Sequence, residues 1–281
     1  MLSRFQLFYR LAVDTTNMPP EDASSVLSIL GRRENVLRQI GPEECRKREL
    51  LDELSVSRST VDRAVRELVD AGLVGRSDDG YYRTVTGELT LREYDRAVGR
   101  IGGLLDASAL FDGLDGEGDA DPVLFDGATV VEAEPLSPSA AIESFVDLLE
   151  RSSYVVGFVS AVFPAQVEAY REQLVDGDLT ARMLVTDSVC RRLVSQYADA
   201  VRDGFRTGRI DIRHAAELPS YTLVVGTTPT RAEAVLVAHT ANGLRGVLRN
   251  DSPEAVEWAR RRIAARWRES ASACPPGLAD D

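Results

Sequence analysis

Between Arg46 and Val85 the apolar positions change their period, from two helical runs separated by a polar break to the short alternation of strands. Arg48 to Leu54 (RELLDEL) carries Leu50, Leu51 and Leu54 at helical spacing, which predicts a short helix with one apolar side. Ser55, Val56 and Ser57 interrupt the run, and Ser57 is placed to cap the next helix. In Arg58 to Ala71 (RSTVDRAVRELVDA), Val61, Ala64, Val65 and Leu68 fall at i, i+3, i+4 and i+7, one buried stripe. The opposite face collects Ser59, Arg63, Arg66 and Asp70, with Thr60 and Asp62 on its shoulders. Gly72 ends this helix, and Leu73 to Arg76 and Tyr81 to Val85 read as strands joined through Ser77, Asp78, Asp79 and Gly80, a hairpin signal. Upstream, Ala23 to Ile40 supplies a first helix with Val26, Leu27, Leu30, Val36, Leu37 and Ile40 on its apolar face. Helix, helix, tight turn, helix and hairpin is the order of a winged helix-turn-helix. In that arrangement the last helix enters the major groove of double-stranded DNA and the hairpin rests on phosphates.

After the hairpin, Glu88 to Leu110 predicts a helix with Leu91, Tyr94, Val98, Ile101 and Leu105 on one side, weakened at Gly102 and Gly103. This stripe is either the contact of a homodimer or packing within the same chain. Phe111 to Pro122 is rich in Gly and Asp and reads as a linker. The remainder alternates strands with helices. Strands are predicted at Ala128 to Ala133, Tyr154 to Val159, Leu179 to Thr186, Arg209 to His214, Tyr221 to Gly226, Ala232 to His239 and Leu244 to Arg249. Helices are predicted at Pro138 to Arg151, Pro164 to Leu174, Ser188 to Phe205 and Pro253 to Trp267. The βαβα rhythm of the first part implies parallel strands under helices, and the closely spaced later strands imply antiparallel pairing. The fold class is therefore α/β plus a small α+β part: an N-terminal winged helix-turn-helix over 23–87, a linker helix and acidic linker over 88–122, and a C-terminal α/β domain with a mixed sheet over 123–269. Residues 270–281 read as a disordered tail, and 1–22 as a loosely ordered arm or an upstream extension ahead of Met18.

Composition narrows the setting. The net charge is −12 over 281 residues, and Lys47 is the only lysine. An acidic excess with arginine in place of lysine is expected of a protein working in a salt-rich cytoplasm, where acidic surfaces maintain solubility. No run approaches the ~18 apolar residues of a membrane span, and the acidic balance argues against docking on anionic lipid. Cys45, Cys190 and Cys274 are odd in number and widely spaced, which supports neither a disulfide framework nor a zinc site. The basic run Arg46, Lys47 and Arg48 beside Cys45 leaves two readings, a plain surface thiol, which is favoured, and a redox-responsive thiol whose pKa the cations lower.

RRENVLRQI, RELLDELSVSRSTVDRAVRELVDAGLV and YYRTVTGE in the first half resemble the archaeal winged-helix regulators of the methanogenesis-regulator (FilR) type, especially their salt-adapted members. AAIESFVDLLERSSYVVGFVSAVFP, LPSYTLVVG and GLRGVLRNDSPEAVEWARRR extend the resemblance through the second half. It implies a transcription regulator whose second domain has a core similar to the phospholipase D architecture. It does not imply phospholipase D chemistry here, which needs a His and a Lys two residues apart. His214 is followed by Ala215 and Ala216, and His239 by Thr240 and Ala241. Phosphate-loop, nucleophile-elbow and zinc-protease signatures are also missing from the sequence. The expectation is a non-enzyme without cofactor or metal.

The candidate DNA-binding residues are Arg63 as a base reader, Ser59, Thr60 and Arg66 beside it, and Arg58, Arg76 and Arg83 on phosphate. From Ala23 to Thr86 positive and negative residues nearly balance, which keeps open a winged helix used for protein interaction or dimerisation without DNA readout. At molar salt the Debye length falls to ~3 Å, so a reader there depends on direct hydrogen bonds more than on long-range attraction. In the second domain, ligands are expected beyond the carboxyl ends of the parallel strands. Ser160, the helix-opening Thr186, Asp187 and Ser188, and polar groups near Tyr221, His239 and Asn242 are the candidate effector site. The rival reading is a second domain that only dimerises or recruits a partner.

Overall fold

The computed structural model describes residues 22–54, 56–111, 120–133, 139–240 and 243–270. The expected arm, most of the acidic linker, Asn242, Cys274 and the C-terminal tail lie outside them. The chain divides into two compact units, Met1–Ala97 and Val98–Asp281.

In the first unit, α1 (Ala23–Gln39) starts where the Asp22 carboxylate accepts the Ser24 and Ser25 amides, bonds that also hold this carboxyl below its usual pKa. Helix α2 (Lys47–Glu53) opens with the Glu49 carboxylate accepting the Arg46 amide at 2.9 Å. Helix α3 (Arg58–Asp70) is capped by Ser57, whose hydroxyl accepts the Thr60 amide at 3.3 Å. Most of the predicted core is buried, namely Leu30 and Leu37 of α1, Leu50 of α2, and Val61, Ala64, Val65 and Leu68 of α3, but Leu27, predicted on the apolar face of α1, is 52 % exposed. Gly72 takes φ +71°, which lets the Leu73 amide turn back to the Leu68 carbonyl at 2.9 Å and leads the chain into the hairpin. Strands β1 (Val74–Arg76) and β2 (Tyr81–Arg83) pair antiparallel, and Cys45 adds a bridge to Tyr81.

Strand β2 stops two residues before the predicted Val85. The reason is Thr84, whose hydroxyl accepts the Gly87 amide at 2.9 Å and so caps α4 (Val85–Asp106) ahead of the predicted Glu88. Gly87 is required there, since a Cβ would stand 2.1 Å from the Leu73 carbonyl oxygen. Gly103, a weak point by helix propensity, is likewise a contact: a Cβ there would meet the Phe125 carbonyl oxygen at 1.8 Å. Of the α4 stripe, Leu91 is buried, whereas Val98, Ile101 and Leu105 are 50 %, 57 % and 68 % exposed.

The second unit is a mixed α/β domain around a seven-stranded sheet. After α5 (Ser108–Phe111) and a 3₁₀ turn (Pro122–Leu124) come β3 (Thr129–Glu132), α6 (Ser139–Arg151), β4 (Tyr154–Val159), α7 (Pro164–Val175), β5 (Thr180–Val185), α8 (Asp187–Gln196), α9 (Ala198–Arg206) and β6 (Ile210–His214). Strands β7 (Tyr221–Thr227), β8 (Ala232–Thr240) and β9 (Gly243–Asn250) and the helix α10 (Pro253–Glu269) complete it. The sheet order is β3-β9-β8-β7-β4-β5-β6, with β4, β5 and β6 parallel and every other pair antiparallel. Four antiparallel steps separate β3 from β4, so the four strands joined through helices run in one direction and the β7–β9 meander is inserted between the first two of them.

Alternate residues feed two cores. Val155, Val159, Met183, Val224, Val235 and Val247 meet α6 to α9, while Phe158, Leu184, Leu223, Leu236 and Leu248 meet α10 and the 3₁₀ turn. Asn250, only 4 % exposed, ties the end of β9 to that turn by donating to the Leu124 and Asp126 carbonyls at 2.9 Å. The single helix predicted from Ser188 to Phe205 is two helices, broken at Tyr197 (φ −132°, ψ 28°). A straight 18-residue helix spans ~27 Å and would overrun strands of about six residues. The break lets α9 turn back until Gly204 lies against Leu174. Cys45 is a free thiol.

Candidate nucleic-acid interface and strand-end cluster

Each basic side chain of the first unit falls into one of two groups. Arg33 forks onto Glu67 at 2.9 and 3.1 Å, Arg38 pairs with Asp95 and Glu34, and Lys47 pairs with Asp62, tying α2 to α3. Arg58, Arg63, Arg66 and Arg76 form no ion pair among the described residues, and all four are exposed. Three of them share the outer surface of α3 and the fourth ends β1. Glu67, one turn from Arg63, has its charge held mainly by Arg33, which lowers its pKa, and Arg63 adds only a weaker, longer-range attraction without an ion pair.

The other predicted contacts sit differently. Ser59 and Thr60 both place their hydroxyls 2.9 Å from the Ser57 hydroxyl, so they belong to the cap of α3 as well as to its leading edge. Arg83 turns inward: its side chain is 14 % exposed, pairs with Glu88 at 2.8 Å and donates to the Leu37 carbonyl at 3.3 Å. Strand alternation alone would set Arg83 beside Arg76, but the two strands are only three residues long and the neighbouring α4 supplies an acid at Glu88. Cys45 fits the plain-thiol reading. Burial, with Glu49 and Glu53 nearby, pushes its thiol pKa up, the reverse of the shift a redox-responsive thiol needs, and Lys47 of the adjacent basic run pairs with Asp62.

At the carboxyl edge of β4 and β5 the predicted residues divide into two groups, Ser160 with His239 and Thr186 to Ser188, and an outlier. The Ser160 hydroxyl lies 2.8 Å from His239 Nε2, and the Ser160 amide donates to Thr222 Oγ1 at 3.2 Å. A register shift between Ala238 and His239 brings the imidazole to this position, where burial lowers its pKa and the Phe163 ring stands edge-on at 6.4 Å. At the end of the neighbouring β5, Thr186 caps α8 and lies 2.9 Å from the Ser188 hydroxyl, while Asp187 Oδ1 is 2.9 Å from His214 Nε2 without hydrogen-bond alignment. Tyr221 is the outlier. It faces the opposite core against Phe158, its hydroxyl has no hydrogen-bond partner, and burial pushes its pKa up to about 12 against the opposing pull of Arg266. Thr222, one residue on, takes the place foreseen for it, because successive strand residues point to opposite faces. Thr222 and His214 were missed as members of this edge. The signal available was the strand period alone, which fixes faces only once one residue is placed.

No cluster of three or more metal-ligating side chains occurs among the described residues, and none of their helices is long and apolar enough to cross a membrane. At the other edge of the sheet, Glu233 holds Arg249 through both carboxylate oxygens, at 2.8 and 2.9 Å, with Arg151 at 3.4 Å. Burial alone raises the Glu233 pKa, but the two guanidinium groups outweigh it and leave the carboxyl below its usual value.

Each of the two units matches a domain already described. Residues 138–269 match the middle domain of the methanogenesis regulatory protein FilR1, and residues 21–102 match the domain described as the HVO_A0261 N-terminal domain. The chain therefore carries a FilR1-type middle domain behind a domain of the HVO_A0261 N-terminal type. No curated protein matches the sequence. Among solved structures it is similar to TrmBL2, an archaeal chromatin protein with a novel mode of DNA binding, at 12 % identity and a TM-score of 0.41 over 89 % of this chain and 99 % of that one. It is also similar to Nuc, a phospholipase D family member from Salmonella typhimurium, at 11 % identity and a TM-score of 0.40 over 52 % of this chain and 96 % of that one. An O-methyltransferase family protein from Burkholderia thailandensis reaches 12 % identity and 0.27 over 76 % and 65 %. All three scores lie below 0.5, so none of them sets the fold or function of this chain.

Proposed function

We propose that the chain is a sequence-specific DNA-binding transcription regulator of a salt-adapted archaeon. The first unit is a winged helix-turn-helix in which α3 reads the major groove and the β1–β2 hairpin lies on the flanking backbone. One observation carries this reading: the arginines of α3 and of β1 are exposed and unpaired, as are Arg46, Arg48 and Arg92, whereas Arg33, Arg38, Lys47 and Arg83 are held by carboxylates. Arg63 reads a base, flanked by Ser59, Thr60 and Arg66, and Arg58 and Arg76 contact phosphate. Arg83 drops out of the interface because its guanidinium is spent on Glu88 and Leu37.

A homodimer fits the remaining features. Val98, Ile101 and Leu105 form an exposed apolar stripe at i, i+3 and i+7 on α4, and a two-fold pair of such helices would set two half-sites a whole number of turns apart. The second unit acts as an effector or oligomerisation domain rather than as an enzyme: neither histidine has a lysine or a second histidine joined to it, and each is engaged by its own neighbour. The test is selection of bound genomic fragments by the purified chain in molar KCl, with Arg63→Ala/Arg66→Ala in parallel. Recovery of a palindromic site that the double variant loses is expected. Lack of enrichment at every salt concentration would turn the reading toward a winged helix that binds protein.

A further inference from the structure

The second unit contains a partly open cavity of ≈ 80 Å³ between α7, α8 and α9 and the strands β4, β5 and β6. Its walls are almost wholly aliphatic, with Leu174, Met183, Val189 and Ile212 among them. Two polar groups interrupt this lining, and both come from one face of α7: Gln166 and Tyr170 stand four residues apart, one helical turn. Gln166 is 7 % exposed, and its amide has no hydrogen-bond partner among the described residues. The Tyr170 hydroxyl has one weak acceptor, Met183 Sδ at 3.7 Å. Solvent still reaches the Gln166 amide, so a polar group of a ligand can take the place of water there. Arg171, the one charged residue of the lining, is already held by Glu168 at 2.9 and 2.6 Å.

We infer that this cavity is a binding site for a small uncharged amphiphile, with an apolar body among the aliphatic walls and one hydroxyl or carbonyl group between Gln166 and Tyr170. The size limits the body. An apolar cavity of ~150 Å³ takes benzene whole, so this one takes a small ring whose far edge reaches the open side. An anionic ligand is excluded by the cost of burying its charge beside an arginine that is already neutralised. The Tyr170 phenol supports the same chemistry, since burial raises its pKa and keeps it a neutral donor. Occupancy presses α8 and α9 away from α7, and the joint at Tyr197 between those two helices is where the displacement is absorbed. The site is distinct from the strand-end residues, and it rests on the reading of the second unit as an effector domain.

The test needs no DNA, so failure of the DNA reading leaves it intact. The full chain has three methionines, of which Met183 alone lines the cavity, so ¹³C-methyl-methionine labelling gives a spectrum with one reporter resonance, assigned with Met183→Leu. Phenol, toluene and benzoate are titrated in molar KCl. A saturable ring-current shift of the Met183 methyl is expected with phenol and toluene and none with benzoate. Gln166→Leu should weaken phenol about tenfold relative to toluene, and Ala200→Leu, which fills the cavity from α9, should abolish both shifts. Absence of any saturable shift in the wild-type chain, or undiminished binding in a folded Ala200→Leu chain together with an unchanged phenol-to-toluene ratio in Gln166→Leu, overturns the proposal.

Discussion

Arg63 and Arg76 sit on neighbouring elements with the same charge and the same exposure, yet the proposed interface gives them different work, and salt separates the two. A phosphate contact releases a counterion, so log K falls with log salt by ~0.9 per contact on B-form DNA. In a two-fold dimer Arg76→Ala removes two such contacts. The slope should therefore flatten by ~1.8, which over a fourfold rise in KCl makes the affinity of the wild type fall ~12-fold further than that of the variant. The loss should be the same on operator and on unrelated DNA. Arg63 forms no ion pair because Arg33 holds Glu67 in a two-point fork, leaving Arg63 only a weaker electrostatic pull from that carboxylate. Its removal should cost ~1–3 kcal/mol in each half-site, relax the sequence requirement at one base position, and leave the salt slope nearly unchanged. Fluorescence anisotropy of the selected site and of a scrambled site, between about 0.5 and 2 M KCl, reads both quantities. Arg63→Ala that weakens all sequences equally while flattening the slope, or Arg76→Ala that leaves the slope intact, would refute the assignment.

Four other perturbations have defined outcomes. Ile101→Asp/Leu105→Asp, at positions exposed in the single chain, should leave the thermal melt of the fold unchanged while converting a dimer to a monomer in light scattering and weakening the palindromic site. His239 is held neutral by burial, with a pKa below its unfolded value of 6.5, so its contribution to stability is complete above that value and is lost as pH falls. Urea midpoints should accordingly fall from pH 7.5 toward pH 5.5, and His239→Asn should flatten that dependence. Glu233→Gln leaves Arg249 largely buried beside an uncharged partner, and a loss of about 2–3 kcal/mol in urea unfolding is expected. Cys45→Ser should leave DNA binding the same in oxidant and in reductant, since burial and two nearby carboxylates raise the thiol pKa; a redox response abolished by this substitution would contradict the local electrostatics.

Most elements were legible because their signals are local. Val61, Ala64, Val65 and Leu68 define one side of α3 whatever surrounds it, Ser57 caps it through its own turn, and Gly72 can end it because only glycine enters φ +71° without strain. The strands of the second unit were equally readable from apolar runs and their spacing. The candidate surface of α3 was legible for the same reason: burial of one helical face leaves the opposite face exposed. Partnership was not legible. Arg83 and Arg76 are alike in sequence, and only the arrival of Glu88 in space distinguishes them. Tyr221 and Thr222 exchange places in the strand-end cluster because the face of β7 depends on its register with β4 and β8.

The sequence by itself determined where most helices and strands begin and end, which side of each is apolar, and which arginines lie on the outer face of α3, because each of these depends on residues within a turn or two of one another. The tertiary structure alone decided what those side chains meet. It set the order of the seven strands, placing a meander between two strands that are consecutive in the chain. It split the helix after β5 at Tyr197, and it brought Gln166 and Tyr170 together with aliphatic residues from β5, β6, α8 and α9 around one cavity. Those outcomes depend on contacts between residues far apart in sequence, whose energies no local pattern encodes.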